Sequence, residues 1–266
     1  MKLLTLNTHS IIEDDYEKKL AVFTDTIAQI KPDIIALQEV NQSADAEYID
    51  NIDGYVASTD NIAIKTDNHI AKVNNSLRLK GISYNWSWLP IKNGFDKFDE
   101  GIGILSLSPI IETKAILLSK TDDYFNWRKR MALGIRTEDD VWYYSVHFGW
   151  CDDISEPFKR QWNTFNNCIN ADDTIWVMGD FNSTPASSAY KEIMNDNWLD
   201  TFVLAEEKDN GTTVLGEISG WQNDKSAKRI DYIFTNKSHR IKSSNIIFNG
   251  TNKEIVSDHF GVIIEV

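Results

Sequence analysis

Two cysteines, Cys151 and Cys168, are all that this chain of 266 residues contains. They form no CxxC pair and are too few for a disulfide framework, so neither a stapled scaffold nor a cysteine-rich zinc site is indicated. A reducing, cytoplasmic setting is expected. No stretch approaches the roughly 18 apolar residues of a membrane span. The opening MKLLTLNTHS holds only a very short apolar run, too brief for a signal-peptide core. Low-complexity segments, solenoid-period repeats and Gly/Pro/Ser-rich linkers are absent, so a single domain over residues 1–266 is expected. Positive charge is scarce: 27 Lys and Arg against 40 Asp and Glu, a net charge of −13. Such a surface repels phosphate backbones, and neither nucleic acid nor a membrane is expected as partner.

What remains is an ordinary globular balance, 42% hydrophobic and 25% charged, able to bury a sizeable core. Leu3 to Leu6 reads as a strand ending in polar Asn7. Tyr16, Leu20, Phe23, Ile27 and Ile30 recur at helical spacing, with Asp14 or Asp15 near the start and Pro32 just past the end. Ile34 to Leu37 reads as a buried strand that delivers Gln38 and Glu39. Later strands follow the same habit. Trp142 to Val146 ends at His147, Thr174 to Met178 runs into Asp180, Ile230 to Phe234 carries Asp231, and Phe260 to Val266 follows Asp258 and His259. Phe158, Trp162, Phe165 and Ile169 predict a helix capped by Ser155 with Pro157 in its first turn. Another helix is predicted after Pro185, with Tyr190, Ile193 and Met194 apolar. Strands outnumber helices, which predicts packed sheets with helices outside them.

The polar residues at these strand ends form a chemically coherent set. Asn7, Glu39, Asp180, Asn182, Asp231, Asp258 and His259 are hard oxygen donors or proton-transfer groups. Carboxylates and amides with few histidines and no cysteine suit magnesium better than zinc, and magnesium is commonly held by one or two carboxylates plus substrate phosphate. The implied substrate is a phosphoester. Taken singly, an Asp or Asn at a strand end is more often a turn former.

In order, the segments LNTH, LQEV, SVH, GDFN, RIDYIF and SDHF resemble those of the endonuclease/exonuclease/phosphatase superfamily. That resemblance implies an α/β fold, a four-layer αββα sandwich of two packed mixed sheets flanked by helices. It implies a metal-dependent phosphoric ester hydrolase using magnesium, with manganese as alternative. Asn7, Glu39 and Asp258 correspond to metal ligands. Asp180 and Asn182 correspond to the pair that orients or deprotonates the attacking water. His259 corresponds to a catalytic histidine oriented by Asp231, and His147 to a second histidine that donates to phosphate. Glu100 stands where a glutamate partner of His147 is expected.

Specificity must lie in the loops. Nine tryptophans are many for this length, and Trp86, Trp88, Trp127, Trp150 and Trp221 fall outside clear strands. An exposed indole offers a flat apolar face for a sugar. Trp86, Trp88, Trp150 and Trp221 are accordingly candidate substrate-binding residues, with Lys92 and Arg130 as phosphate clamps; Arg128 is a further basic loop residue. The phrases YNWSWLPIK, DEGIGILS, HFGWCDD and VSDHFGV resemble the bacterial maltose 6′-phosphate phosphatase branch of the superfamily, which implies a small phosphorylated sugar as substrate. Cys151 departs from that pattern, where a second tryptophan is expected. The alternative is a phosphodiesterase of the same superfamily, nuclease or sphingomyelinase-like. His9 is expected to be structural, and His69 and His239 to be ordinary surface histidines.

Overall fold

The computed structural model describes residues 1–50, 52–218, 220–221 and 224–266. One sheet has seven strands, ordered β10 (Glu207–Lys208), β12 (Ser243–Ile247), β13 (Gly261–Glu265), β1 (Lys2–Asn7), β2 (Ile34–Ser43), β4 (Phe98–Ser106) and β3 (Asn85–Gly94). The other has six, ordered β5 (Ile110–Leu117), β6 (Met131–Thr137), β7 (Val141–His147), β8 (Thr174–Asp180), β11 (Asp231–Thr235) and β9 (Leu199–Asp200). Both sheets are mixed: β1 with β2 and β7 with β8 are parallel, and most other neighbours are antiparallel.

Three apolar layers hold the molecule together. Helices α1 (Tyr16–Ile30) and α2 (His69–Leu79) bury Leu20, Phe23, Ile27, Ile70 and Leu77 on the outer face of the seven-stranded sheet, against Leu4, Leu6, Ile35 and Leu37. Helices α3 (Phe158–Cys168) and α4 (Ser188–Asn195) bury Phe158, Trp162, Phe165 and Ile193 against Tyr144, Val146, Ile175 and Val177 of the six-stranded sheet. The two sheets meet through Leu3, Ile34, Ala36, Ile102, Ile104, Tyr143, Trp176, Met178 and Ile233. A short helix, α5 (Thr201–Leu204), follows β9. This is the expected αββα sandwich. No described helix is long and apolar enough to cross a membrane.

Local signals place the helix ends with mixed success. Helix α4 is capped by Ser187, whose Oγ accepts the Tyr190 N–H at 3.1 Å. Ser155 does not cap α3; Pro157 occupies that position without a side-chain bond. Helix α2 and strand β3 were not expected. Helix α2 begins at Asn68, which accepts the Ala71 N–H. Gly179 marks the closest strand approach: with φ at 150°, a Cβ there would lie 2.0 Å from the Val146 carbonyl oxygen of the parallel neighbour. Only glycine allows β7 and β8 to pair at that point.

Candidate active site

Strand alternation accounts for most of the site. Successive side chains point to opposite faces of a sheet. Leu3 and Thr5 face the inter-sheet layer, and so does Asn7 at the end of β1. Tyr143 and Ser145 lead to His147 on β7, Trp176 and Met178 to Asp180 on β8, Ile102 and Ile104 back to Glu100 on β4, and Ile233 back to Asp231 on β11. Where the apolar residues of the central layer stop, these polar ones continue its two inner faces and line the cleft above it.

Two residues arrive there by breaking the alternation. Ile35 and Leu37 face the helices, so Glu39 would do the same in a regular strand. The β2–β4 register slips between Leu37 and Val40, and Glu39 takes a left-handed φ of 50°. This bulge turns its carboxylate toward the cleft. The β3–β4 register slips between Pro90 and Lys92, which sets Lys92 opposite Glu100. Beneath the site Gln38 ties the sheets together, its Nε2 donating to Ser145 Oγ at 3.0 Å.

These elements enclose a pocket of about 280 Å³, lined among others by Glu39, Lys92, Glu100, Arg130, His147, Trp150, Asp180, Asn182, Asp258 and His259. At its centre His259 Nδ1 donates to Asp231, 3.1 and 3.0 Å from the two carboxylate oxygens. Asp231 stands behind the histidine and away from the pocket lining. Burial pushes the imidazole down, but Asp231, Asp180 and Asp258 outweigh it and hold His259 up at about 10. Asp180 is pushed up by burial and by Asp231. Its Oδ1 accepts the Asn182 N–H at 2.8 Å and its Oδ2 the Asn7 amide at 3.3 Å. Asn182, left-handed at φ 46°, also donates to Phe148 O at 3.0 Å. His147 Nε2 lies 3.5 Å from Asp180 Oδ2. Burial, with Arg130 and Lys92 beside it, holds His147 well below the usual histidine range, so it is neutral.

A hard cation fits the acidic side of this pocket. Asn7 Nδ2 donates to Glu39 Oε1 at 3.0 Å. Burial and the charges of Glu100 and Asp258 all raise Glu39, a repulsion that a divalent ion relieves. Among the described residues two separate groups each bring their ligand atoms within 4.8 Å, His9 with Glu13 and Asp258, and Asp180 with Asp231 and His259; Asp258 is the one member shared with the Asn7 and Glu39 side of the pocket. Oxygen donors dominate, as magnesium and similar ions require.

Several expectations need correction. Glu100 does not pair with His147; it forms an ion pair with Lys92 at 3.0 Å, because the β3 bulge places the lysine directly across from it. Trp86 and Trp88 do not line the pocket. They lie on β3, 0% and 1% exposed, facing the helices. Their indoles donate to Asp53 O and Val40 O, so nothing is left to meet a ligand. His69 is buried rather than superficial, bonded through Nδ1 to the Tyr16 hydroxyl at 2.9 Å. His9, expected to be structural although its place two residues after Asn7 allowed contact with substrate, lines the pocket and pairs with Glu13 at 2.8 Å. Trp150 also lines it, and Trp221 donates to Asn182 Oδ1 at 3.3 Å. Phe95, Trp127 and Ile218 complete the mouth; Phe95 and Ile218 belong to no motif.

A model of the Endonuclease/Exonuclease/phosphatase family matches residues 4–259. The chain is 32% identical to an endonuclease/exonuclease/phosphatase family protein from Leptotrichia buccalis C-1013-b, over 100% of this chain and 98% of that one, with a TM-score of 0.87. A mannosyl-6-phosphatase from Bacteroides thetaiotaomicron VPI-5482 superposes with a TM-score of 0.68 at 14% identity, covering 100% and 98% of the two chains. A 3′ phosphatase from Neisseria, bound to a product DNA hairpin, gives 0.61 at 16%, again over 100% and 98%. Those two likenesses concern the fold alone. No curated protein matches.

Proposed function

This chain belongs to the Endonuclease/Exonuclease/phosphatase family, whose members hydrolyse phosphoesters, and from that premise we propose that it is a magnesium-dependent phosphomonoesterase acting on a phosphorylated sugar. One observation carries this reading. Lys92 and Arg130, both buried, lie together on the pocket wall, and among the described residues the Arg130 guanidinium bonds only the Trp127 and Lys129 carbonyls and pairs with no carboxylate. Glu100 compensates Lys92, so Arg130 brings the uncompensated positive charge, and the donors of both side chains suit the dianionic end group of a monoester. The net charge of −13 argues against a nucleic-acid substrate.

In this reading Asn7, Glu39 and Asp258 would hold the cation. When bound, it neutralises charge on the phosphate oxygens. Asp180, with its raised proton affinity, orients a water and accepts its proton, assisted by Asn182, while the ester P–O bond breaks and the departing sugar oxygen takes a proton from solvent. His259, held cationic by Asp231, donates to a phosphate oxygen, and neutral His147 donates from the opposite side. Lys92 and Arg130 bind the remaining oxygens. Trp150 and Trp221 border the leaving group. Each proton-transfer group contributes on the order of 10²–10⁴-fold.

Purified protein with magnesium should release inorganic phosphate from maltose 6′-phosphate, and chelation should stop it. No release from any sugar phosphate, together with efficient cleavage of abasic DNA or sphingomyelin, would refute the proposal in favour of a diesterase.

A further inference from the structure

The pocket mouth carries two aromatic side chains that folding does not explain. Phe95 sits at the tip of the β3–β4 hairpin, 66% exposed and lining the pocket. Its φ is 53° and that of Asp96 is 55°. Two successive left-handed residues suit a tight hairpin turn, where asparagine, aspartate and glycine are the favoured occupants. A bulky side chain in that conformation costs about 1–2 kcal/mol, and Phe95 is too exposed to regain much of it by burial.

Trp127 lines the same pocket and is 48% exposed. Its orientation is held. The Arg128 guanidinium lies 4.1 Å from its ring centre, Arg128 Nε is 2.7 Å from Asp153 Oδ2, and Trp150 packs edge-on at 5.8 Å. The two aromatic walls are also tied to each other. Asn93 N–H donates to Tyr124 O at 2.8 Å, the Tyr124 hydroxyl to Asp99 Oδ1 at 2.7 Å, and Lys92 Nζ to Trp127 O at 3.3 Å. The Trp127 ring and the hairpin backbone that carries Phe95 are therefore fixed before any ligand binds, which lowers the entropic cost of binding.

The cavity of about 280 Å³ lies at the lower edge of small-molecule pockets, which run from about 300 to 1,000 Å³. Given the monoester reading above, a single phosphorylated ring fills it, and a group attached to that ring leaves through the mouth that Phe95 and Trp127 share with Ile218. We propose that Phe95 and Trp127 form a preset aromatic clamp that holds the second sugar ring and selects phosphorylated disaccharides over monosaccharide phosphates. The C–H faces of a pyranose supply the apolar surface that such rings stack on. A lipid surface is the competing occupant of exposed aromatics. The exposed carboxylates Asp96, Asp122 and Asp152 in the same loops oppose anionic headgroups.

The test substitutes Phe95→Asn, which keeps the left-handed turn, and Trp127→Phe. With F95N, KM for a 6′-phosphorylated disaccharide should rise about tenfold, equivalent to one good stacking contact. KM for glucose 6-phosphate should stay within about twofold, and the melting temperature should not fall. Equal changes for both substrates, or none, would overturn the clamp. Titration with unphosphorylated maltose reads it independently of hydrolysis. The parent protein should show tryptophan quenching that W127F lacks and F95N weakens. Quenching without phosphate release from any monoester would sustain the clamp and refute the hydrolytic reading. Release without quenching or substrate discrimination would do the reverse. Binding of phosphatidylcholine vesicles that F95N abolishes would overturn the clamp in favour of lipid docking.

Discussion

Glu100 Oε1 lies 3.0 Å from Lys92 Nζ, across the β3–β4 pair, with both side chains nearly enclosed by the pocket wall. Glu39 and Glu100 repel each other across the same pocket, and both attract the lysine. Burial and Arg130 lower Lys92, while Glu100 and Glu39 favour its charged form. Removing one member of a buried pair leaves the other uncompensated. Lys92→Met should therefore lose about 3 kcal/mol of stability in urea titrations. The double variant Lys92→Met, Glu100→Gln should recover at least half. Equal losses in single and double variants would show that the two residues are not coupled.

The bond from His259 to Asp231 predicts a separable effect. Asp231→Asn keeps the shape but removes the charge that holds the imidazole cationic. Phosphoesterase activity should fall by about 10²–10⁴-fold, with the melting temperature within a few degrees of the parent. A loss below about fivefold would remove Asp231 from the machinery.

Glu39 illustrates function set against stability. It is left-handed at a bulge, and burial together with Glu100 and Asp258 disfavours its charge. Strain and like charge of this kind persist where a site requires them. Glu39→Gln should melt higher than the parent in chelator and lose most activity. The melting-temperature gain that magnesium gives the parent should shrink in the variant. A parent that melts identically with and without magnesium would contradict the assigned ligand.

His69 should make stability pH-dependent. Burial, with Lys72 nearby, pushes it from the usual 6.5 to about 3. The folded chain then binds fewer protons than the unfolded chain between those values. The sign follows: His69 is no burden above pH 6.5, and stability falls as pH drops from there toward 3, by at most about 1.4 kcal/mol per unit from this group. The difference in unfolding free energy between the parent and His69→Gln should shift by that slope over this window. A pH-independent difference would show that His69 is not held neutral.

Much of the fold is legible because the central strands are short apolar runs, buried on both faces and ending in polar residues, and α1 and α3 have regular apolar stripes. Helix α2 is not legible in the sequence because its buried face mixes Ile70, Val73 and Leu77 with His69 and Asn74, which blurs the stripe. Strand β3 reads as loop in the sequence because Pro90 and Lys92 interrupt its pattern, and the bulge between them shifts the period. The tryptophans misled for a related reason. Composition counts indoles, but only the sheet's two faces decide which of them reach water.

The sequence by itself determined the chemistry at the strand ends. Asn7, His147, Asp180 and Asp231 each stand at one end of a short apolar strand, which gathers them at one edge of the sheets; those strands are apolar on both faces, so packing chose which face each takes along the period-2 alternation. Tertiary structure alone decided what breaks that period. The bulges that free Glu39 and pair Lys92 with Glu100 depend on strand register, which is set by partners about 60 and 10 residues away along the chain. The aromatic mouth of Phe95 and Trp127 likewise exists only because the β3–β4 hairpin and the 118–130 loop are hydrogen-bonded side by side, a contact between segments that share no local pattern.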